Sequence, residues 1–337
     1  MAEAEFLIVR LGSLGDIVHT FPAVAALRES FPAATIAWMT NPRWRDLVAA
    51  PGLTNEIWDV ETRSFSSVRG ALGKIRRGRF STAIDYQGLW KSAALPFLAR
   101  VPRRIGFAAS AVREAGVPLL YTDRVDVRTA HVADKNGELS VAGGAVKSVG
   151  RFTLAIPDGA RASVANLLRK EGIEKYVVLS PGGGWVSKCW PPERFGELAR
   201  RLFSEVGMRS VINYGPGEER LANRIVDAAG PGAAVSYSGN FGELMAILRN
   251  ADCVVAGDTG PLHLADALGA RVVAIFGPTD PQRNGPYLGR RETGRAIVLR
   301  AENVVSTYKR EDVPHPSLLQ VSVDDVFRAI SVLKATS

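Results

Sequence analysis

Short apolar runs alternate with amphipathic stretches along this chain, and the runs repeatedly end in glycine-containing turns. No other feature restricts the fold so strongly. Apolar runs of about four to eight residues suit strands buried on both faces, and helices between them make such strands parallel. Residues 6–10 read as a first strand, followed by a Gly-rich turn and a helix towards Ser30. Pro22 cannot sit deep in a regular helix, so this helix bends there or begins near Thr20. Strands over residues 35–39 and 82–85 follow, with a basic helix over residues 67–77 between them. The theme then repeats, with strands over residues 176–180, 210–214, 253–256 and 271–276. Helices are expected after Pro192, from about Glu218, over residues 241–249 and over residues 262–268. At 337 residues the chain is long enough for two α/β domains, 1–163 and 164–337, and a cleft between them would hold a ligand.

Charge is spread unevenly. The whole chain carries a net +8, yet the segment from Arg63 to Arg113 holds eleven basic residues against one acid, Asp85. Such a field attracts phosphate or carboxylate ligands, nucleic acid or an anionic membrane face, unless it is only a solvated basic surface. The amino terminus has no basic region leading into an apolar core, so no signal peptide is expected. No apolar run approaches the ~20 residues of a membrane-spanning helix. Cys189 and Cys253 support neither a disulfide framework nor a metal cluster, which fits a reducing cytoplasm.

Three segments carry candidate chemistry. In Arg10-Leu-Gly-Ser-Leu-Gly-Asp16, the glycines turn the chain off a buried strand and leave Asp16 near a helix start, as a reactive carboxylate or simply a helix cap. A nicotinamide loop is excluded, because Gly-x-Gly-x-x-Gly is missing and the second strand ends without an acid. A Walker lysine loop and metal-ligand spacings are missing too. The second segment, Ser180-Pro-Gly-Gly-Gly-Trp-Val-Ser-Lys188, offers close backbone approach at Gly183 and Gly184 together with a mobile cation, a combination suited to pyrophosphate. The third is Gly257-Asp258-Thr259-Gly260-Pro-Leu-His263. It sets an acid and a hydroxyl at a strand end and a helix amino terminus, a ready phosphate site, beside them. Asp258 could instead be a cap and His263 a packed helix residue.

Together these segments and Phe276-Gly-Pro-Thr-Asp-Pro281 resemble glycosyltransferase family 9, the ADP-heptose:lipopolysaccharide heptosyltransferases, over nearly the whole chain. Ala83-Ile-Asp-Tyr-Gln87-Gly-Leu-Trp-Lys91, Arg113-Glu114 and His131-Val-Ala-Asp-Lys135 resemble the first-heptose subfamily. The resemblance implies a GT-B fold of two facing Rossmann-like α/β domains, acceptor on the first and nucleotide sugar on the second. A final helix near residues 323–333 would pack back on the first. It implies inverting transfer of L-glycero-D-manno-heptose from ADP-heptose to the Kdo region of lipid A, without cofactor or bound metal. Asp16 matches the family's base and Lys188 the lysine that offsets charge on the departing ADP. Asp258 matches the acid that holds donor hydroxyls, with Thr259, Gly260 and His263 along the phosphates. Glu218 or Glu219 falls near the ribose. Ser13, Gly15, Arg63, Gln87, Lys91, Arg113 and Lys135 fall on the acceptor side, where Arg76, Arg77 and Arg104 add to an anion-binding surface. The expected partners are an ADP-sugar, an anionic lipid acceptor and the cytoplasmic face of the inner membrane, not nucleic acid. One departure is Gly182–Gly184, where the family often carries threonines. Another sugar, a later core acceptor, or a non-catalytic binding protein are the alternatives.

Overall fold

The structure is a computed structural model and describes residues 5–289 and 294–335. Two compact units divide the chain at Ala155/Ile156. The division falls before the expected residue 163 because the helix Asp158–Lys170 belongs wholly to the second unit. Its Ala160 and Val164 are buried, and its Ser163 hydroxyl donates to Glu243 at 2.5 Å.

In the first unit six parallel strands, β1 (Glu5–Val9), β2 (Thr35–Thr40), β3 (Glu56–Asp59), β4 (Thr82–Asp85), β5 (Arg103–Phe107) and β6 (Asp123–Val125), run in the order β3-β2-β1-β4-β5-β6. The helices are α1 (Leu14–Val18), α2 (Phe21–Ser30), α3 (Arg45–Ala49), α4 (Phe65–Arg77), α5 (Trp90–Leu98) and α6 (Val132–Ala142). Proline decides the break between α1 and α2: Pro22 takes a first-turn position and a new helix starts at Phe21. Both sheet faces are covered. Leu7, Val9, Ala37 and Met39 pack under Ala71 and Ile75 of α4 and Leu95 of α5, while Phe21 of α2 meets Trp38 from the other side.

The second unit repeats the plan. Strands β7 (Tyr176–Ser180), β8 (Arg209–Asn213), β9 (Ala234–Tyr237), β10 (Cys253–Gly257), β11 (Val272–Phe276) and β12 (Ala296–Arg300) form a parallel sheet in the order β12-β11-β10-β7-β8-β9. Its helices are α7 (Asp158–Lys170), α8 (Pro192–Val206), α9 (Glu219–Ala229), α10 (Phe241–Arg249), α11 (Gly260–Ala267), α12 (Pro281–Asn284) and α13 (Val323–Ala335). The apolar face of α13, with Val326, Ile330 and Leu333, joins Leu198 and Leu202 of α8 in the second unit's core. The segment before α13 is stitched to the same unit: Trp190 Nε1–H and the Arg194 guanidinium donate to the Val321 carbonyl at 3.0 and 2.6 Å.

Both sheets thus follow the doubly wound order in which the chain reverses direction between the first and fourth strands of the unit. Ligands of such sheets bind beyond the carboxyl ends of the strands at that reversal. The reversal lies between β1 and β4 in the first unit and between β7 and β10 in the second. Val9 pairs with Asp85 and Ser180 with Ala256, so in each unit the two flanking loops leave the sheet at the same height. No helix of the described residues is long and apolar enough to cross a membrane.

Candidate active site

Asp16 lies in the first turn of α1, which follows the loop after β1 at the reversal in the first sheet. Gly12, at φ +153°, makes the turn, and a Cβ there would lie 2.9 Å from Trp44 Nε1, so only glycine fits. Asp16 is the third residue after the cap of α1 and accepts from both the Ser13 N–H (3.1 Å) and the Ser13 hydroxyl (3.0 Å). Its other oxygen meets the Arg10 guanidinium at 2.7 Å. The arginine is buried and donates also to the Tyr86 carbonyl, so it aims the carboxylate from below while Asp16 itself stays partly open. Asp16 is therefore a cap in fact, but one with an exposed carboxylate. The loop after β4 completes the corner: Gln87 Oε1 accepts the Leu11 N–H at 2.7 Å, which ties Gln87 to the Asp16 loop. Asp85, the one acid of the basic stretch, is buried beneath this turn and accepts from Gln87, Gly88, Ser92 and Tyr121. Burial pushes its carboxyl up, against the pull of those four donors.

The loops after β7 and β10 meet at the second reversal. Gly257 lets them touch, because a Cβ there would come within 2.9 Å of the Lys188 carbonyl. Lys188 Nζ then reaches Asp258 Oδ2 at 2.6 Å, and His263 Nε2 lies 3.3 Å from Asp258 Oδ1. A carboxylate only accepts, so the proton of this contact sits on His263 Nε2. Burial by itself would raise the Asp258 carboxyl, but the His263 hydrogen bond and the Lys188 ammonium outweigh it and hold the group well below the usual carboxylate range. Thr259 caps α11 without using its hydroxyl: its Oγ1 is buried with no hydrogen-bond partner among the described residues. The amino terminus of α11 and this idle hydroxyl stand beside Lys188, the kind of corner that suits an anion.

The structure gathers Lys188, Asp258, Thr259, Gly260 and His263 into one cluster. Gly183 joins it, since a Cβ there would lie 3.1 Å from Thr259 Cγ2 and 3.1 Å from Cys189 Sγ; at Gly184 a Cβ would meet nothing. Glu218 and Glu219 now separate. The Glu218 carboxylate accepts the Gly215 N–H at 2.8 Å and fills the space a side chain on Gly182 would need, whereas Glu219 accepts the Gly217 N–H and is exposed. A side chain on Gly182 would displace the Glu218 carboxylate from this position. In the first unit Ser13 and Gln87 border Asp16, and Gly15 is buried within α1. Arg63, Lys91 and Arg113 are exposed and make no ion pair among the described residues, while Lys135 is half-buried on α6. Sequence reasoning passed over Arg10 and Trp185. An arginine closing an otherwise apolar strand was the signal for the first; Trp185 lay inside a quoted segment and gave no signal of its own. Among the described residues no group of three or more His, Cys, Asp or Glu is placed to hold a metal ion.

Known proteins are similar to this chain in sequence and in fold. Residues 69–312 match the family model described as glycosyltransferase family 9 (heptosyltransferase). The chain is 28% identical to lipopolysaccharide heptosyltransferase 1 of Pseudomonas aeruginosa, over 83% of this chain and 81% of that protein. Lipopolysaccharide heptosyltransferase 3 of Escherichia coli also matches, at 21% identity over 79% of this chain and 80% of that one. Among solved structures, Escherichia coli ADP-heptose lipopolysaccharide heptosyltransferase II superposes with a TM-score of 0.82 at 20% identity, covering 98% of this chain and 99% of that one, a likeness of fold.

Proposed function

The chain belongs to glycosyltransferase family 9, the heptosyltransferases, and we propose that it transfers L-glycero-D-manno-heptose from ADP-heptose to the Kdo region of a lipid A acceptor, with inversion. The observation that carries this reading is that each unit gathers reactive groups at the reversal of its own sheet. The reversal of one sheet presents an aimed, partly open carboxylate, and that of the other presents a cation, an idle hydroxyl and a helix amino terminus. Asp16 takes the proton of the acceptor hydroxyl while that oxygen bonds to the anomeric carbon. The bond from the anomeric carbon to the diphosphate oxygen breaks, its electron pair leaving with ADP. Lys188 and the first amides of α11 receive the charge, the work a metal ion does in other transferases. Asp258, with Lys188 drawn towards the diphosphate, has an oxygen for the sugar hydroxyls. Gln87, bonded to the Leu11 amide beside Asp16, and Lys91, in the first turn of α5, support the first-heptose acceptor, as does the heptosyltransferase 1 relative. In an assay with ADP-heptose and Kdo-lipid A, Asp16→Asn lowers turnover by about a hundredfold or more, with ADP affinity unchanged. Wild-type turnover in that variant ends the assignment.

An anionic lipid acceptor also suits the basic stretch. On the side formed by α4, α5 and the 3-10 turn Val117–Leu120, exposed Phe97, Leu98 and Leu119 lie among Arg76, Arg77 and Arg104. Arg76 donates to the Leu98 carbonyl at 3.1 Å, and the Arg104 guanidinium lies 5.5 Å from the Phe97 ring centroid. Apolar side chains among cations fit a negatively charged leaflet, which would set the enzyme at the cytoplasmic face of the inner membrane. Binding to phosphatidylglycerol vesicles therefore weakens as salt rises from 0.05 to 0.5 M (about a tenfold range) and is weaker still with Leu98→Asp. Equal binding to neutral phosphatidylcholine vesicles removes this part of the reading.

A further inference from the structure

The loop that brings Lys188 to its place contains three successive glycines and has little side-chain mass to hold it. Its support comes from far along the chain. Residues 301–315, between β12 and the 3-10 turn Pro316–Gln320, form a strap over the loops at the carboxyl end of the second sheet. The Thr307 N–H donates to the Pro278 carbonyl at 2.8 Å. The short turn Val186–Lys188 is bonded to the strap twice, by the Ser187 N–H to the Glu311 carbonyl (3.2 Å) and by the His315 N–H to the Ser187 carbonyl (3.3 Å). Two cations lie against the indole of Trp185: Lys188 Nζ is 4.3 Å from the ring centroid and the Arg310 guanidinium 4.9 Å. Neither Trp185 nor Arg310 has a part in the chemistry proposed above.

We infer that Trp185 is the positioning residue for Lys188, and that Arg310 on the strap holds Trp185 in place. The inference rests on reading Lys188 as the counter-charge of the diphosphate. A lysine ammonium rides on a flexible four-carbon stem, so it needs an external hold to meet a ligand in one geometry. Asp258 provides one hold, but a carboxylate competes with a phosphate for the same ammonium. The indole face attracts the cation through its quadrupole, an attraction that grows as the cation is dehydrated. Being neutral, it does not compete with the incoming anion. When Lys188 exchanges Asp258 for diphosphate oxygens, Trp185 keeps it in the loop's geometry. Among the described residues Arg310 makes no ion pair or hydrogen bond to Asp258 or Thr259; it reaches Lys188 through the ring, and the strap's backbone bonds to Ser187 fix the height of the turn.

The test is ADP binding to the full chain by calorimetry, which needs no acceptor. Trp185→Ala weakens ADP about fivefold, and Trp185→Phe, which keeps an aromatic face, recovers most of that loss. Arg310→Gln, an exposed change, weakens ADP by about twofold and Arg310→Lys by less. The double variant Trp185→Ala with Lys188→Ala binds no more weakly than Lys188→Ala alone, because residues acting through one group do not add. Wild-type affinity in Trp185→Ala, or losses that add in the double variant, overturns the inference. Should Trp185→Ala fail to fold, Arg310→Gln decides: unchanged ADP affinity there is equally fatal. The underlying assignment is read separately. If Lys188→Ala itself binds ADP like the wild type, the role of Lys188 falls; if only Trp185→Ala does, the role of Lys188 stands and the positioning does not.

Discussion

Two sites built from the same parts, one in each unit, differ in which partner of the ion pair is enclosed. Each places a carboxylate against a cation at the reversal of a parallel sheet, Asp16 with Arg10 at 2.7 Å and Asp258 with Lys188 at 2.6 Å. In the first pair the cation is the buried partner, 8% exposed, and the acid stands out at 43%; in the second the acid is 5% exposed and the cation reaches in at 14%. A protruding carboxylate can meet a substrate proton and remains in exchange with water. One enclosed by two donors keeps its charge and anchors what surrounds it. Burial, more than pairing, divides the work between the two acids.

The strongest way to break this comparison is to neutralise each acid isosterically and measure unfolding in urea. Asp258→Asn strands the Lys188 ammonium in a nearly enclosed place and costs about 3 kcal/mol. Asp16→Asn keeps a capping oxygen and a side-chain acceptor for Arg10, whose guanidinium also retains the Tyr86 carbonyl, a cost of about 1 kcal/mol. Equal losses would mean that the two pairs do the same job. The pH dependence sharpens the point. The folded-state pKa of Asp258 is depressed, so its contribution is complete above the ordinary carboxylate value of about 4 and is lost as pH falls through the lower folded value. The stability gap between wild type and Asp258→Asn is then constant above about pH 5 and narrows only in stronger acid.

The same contrast between enclosed and open positions explains what the sequence made legible. The strands readable as apolar runs were β1, β2, β4, β7, β8, β10 and β11, and β4 and β7 have every residue buried, as do β10 and β11. The strands without such a signal lie towards the sheet edges. Glu56-Ile-Trp-Asp59, Asp123-Arg-Val125 and Ala234-Val-Ser-Tyr237 are short and partly exposed, β12 has no fully buried residue, and β5 opens on two arginines. An edge strand has fewer neighbours to hide it, so its composition does not betray it. The site divides likewise. Asp16, Lys188 and Asp258 stand in glycine-marked turns after central strands, where motif and geometry coincide. The hold on Lys188 by Trp185 and the strap is a contact across more than a hundred residues, and no local pattern announces it.

The smallest expected effect bears on the crowding of the second unit's site. Cys189 follows Lys188, and its thiol donates to the Trp185 carbonyl at 3.3 Å. Burial pushes this thiol up to about 11, with the Glu218 charge adding to the rise and Lys188 opposing it. Only the thiolate is nucleophilic, so iodoacetamide at pH 8 labels Cys189 on the order of a hundredfold more slowly than a free thiol. Cys253, fully buried in β10, adds no competing signal. If Glu218 lies against the glycine loop, Glu218→Gln removes one source of the rise and speeds labelling by roughly two- to fivefold, the effect of a few tenths of a pKa unit. Glu219→Gln, whose carboxylate lies outside the loop at the Gly217 amide, leaves the rate unchanged. Equal acceleration in both variants would mean that neither acid sits against Cys189. A rate near that of the free thiol in wild type would show the loop open to water, and the second unit's site no more enclosed than the first unit's.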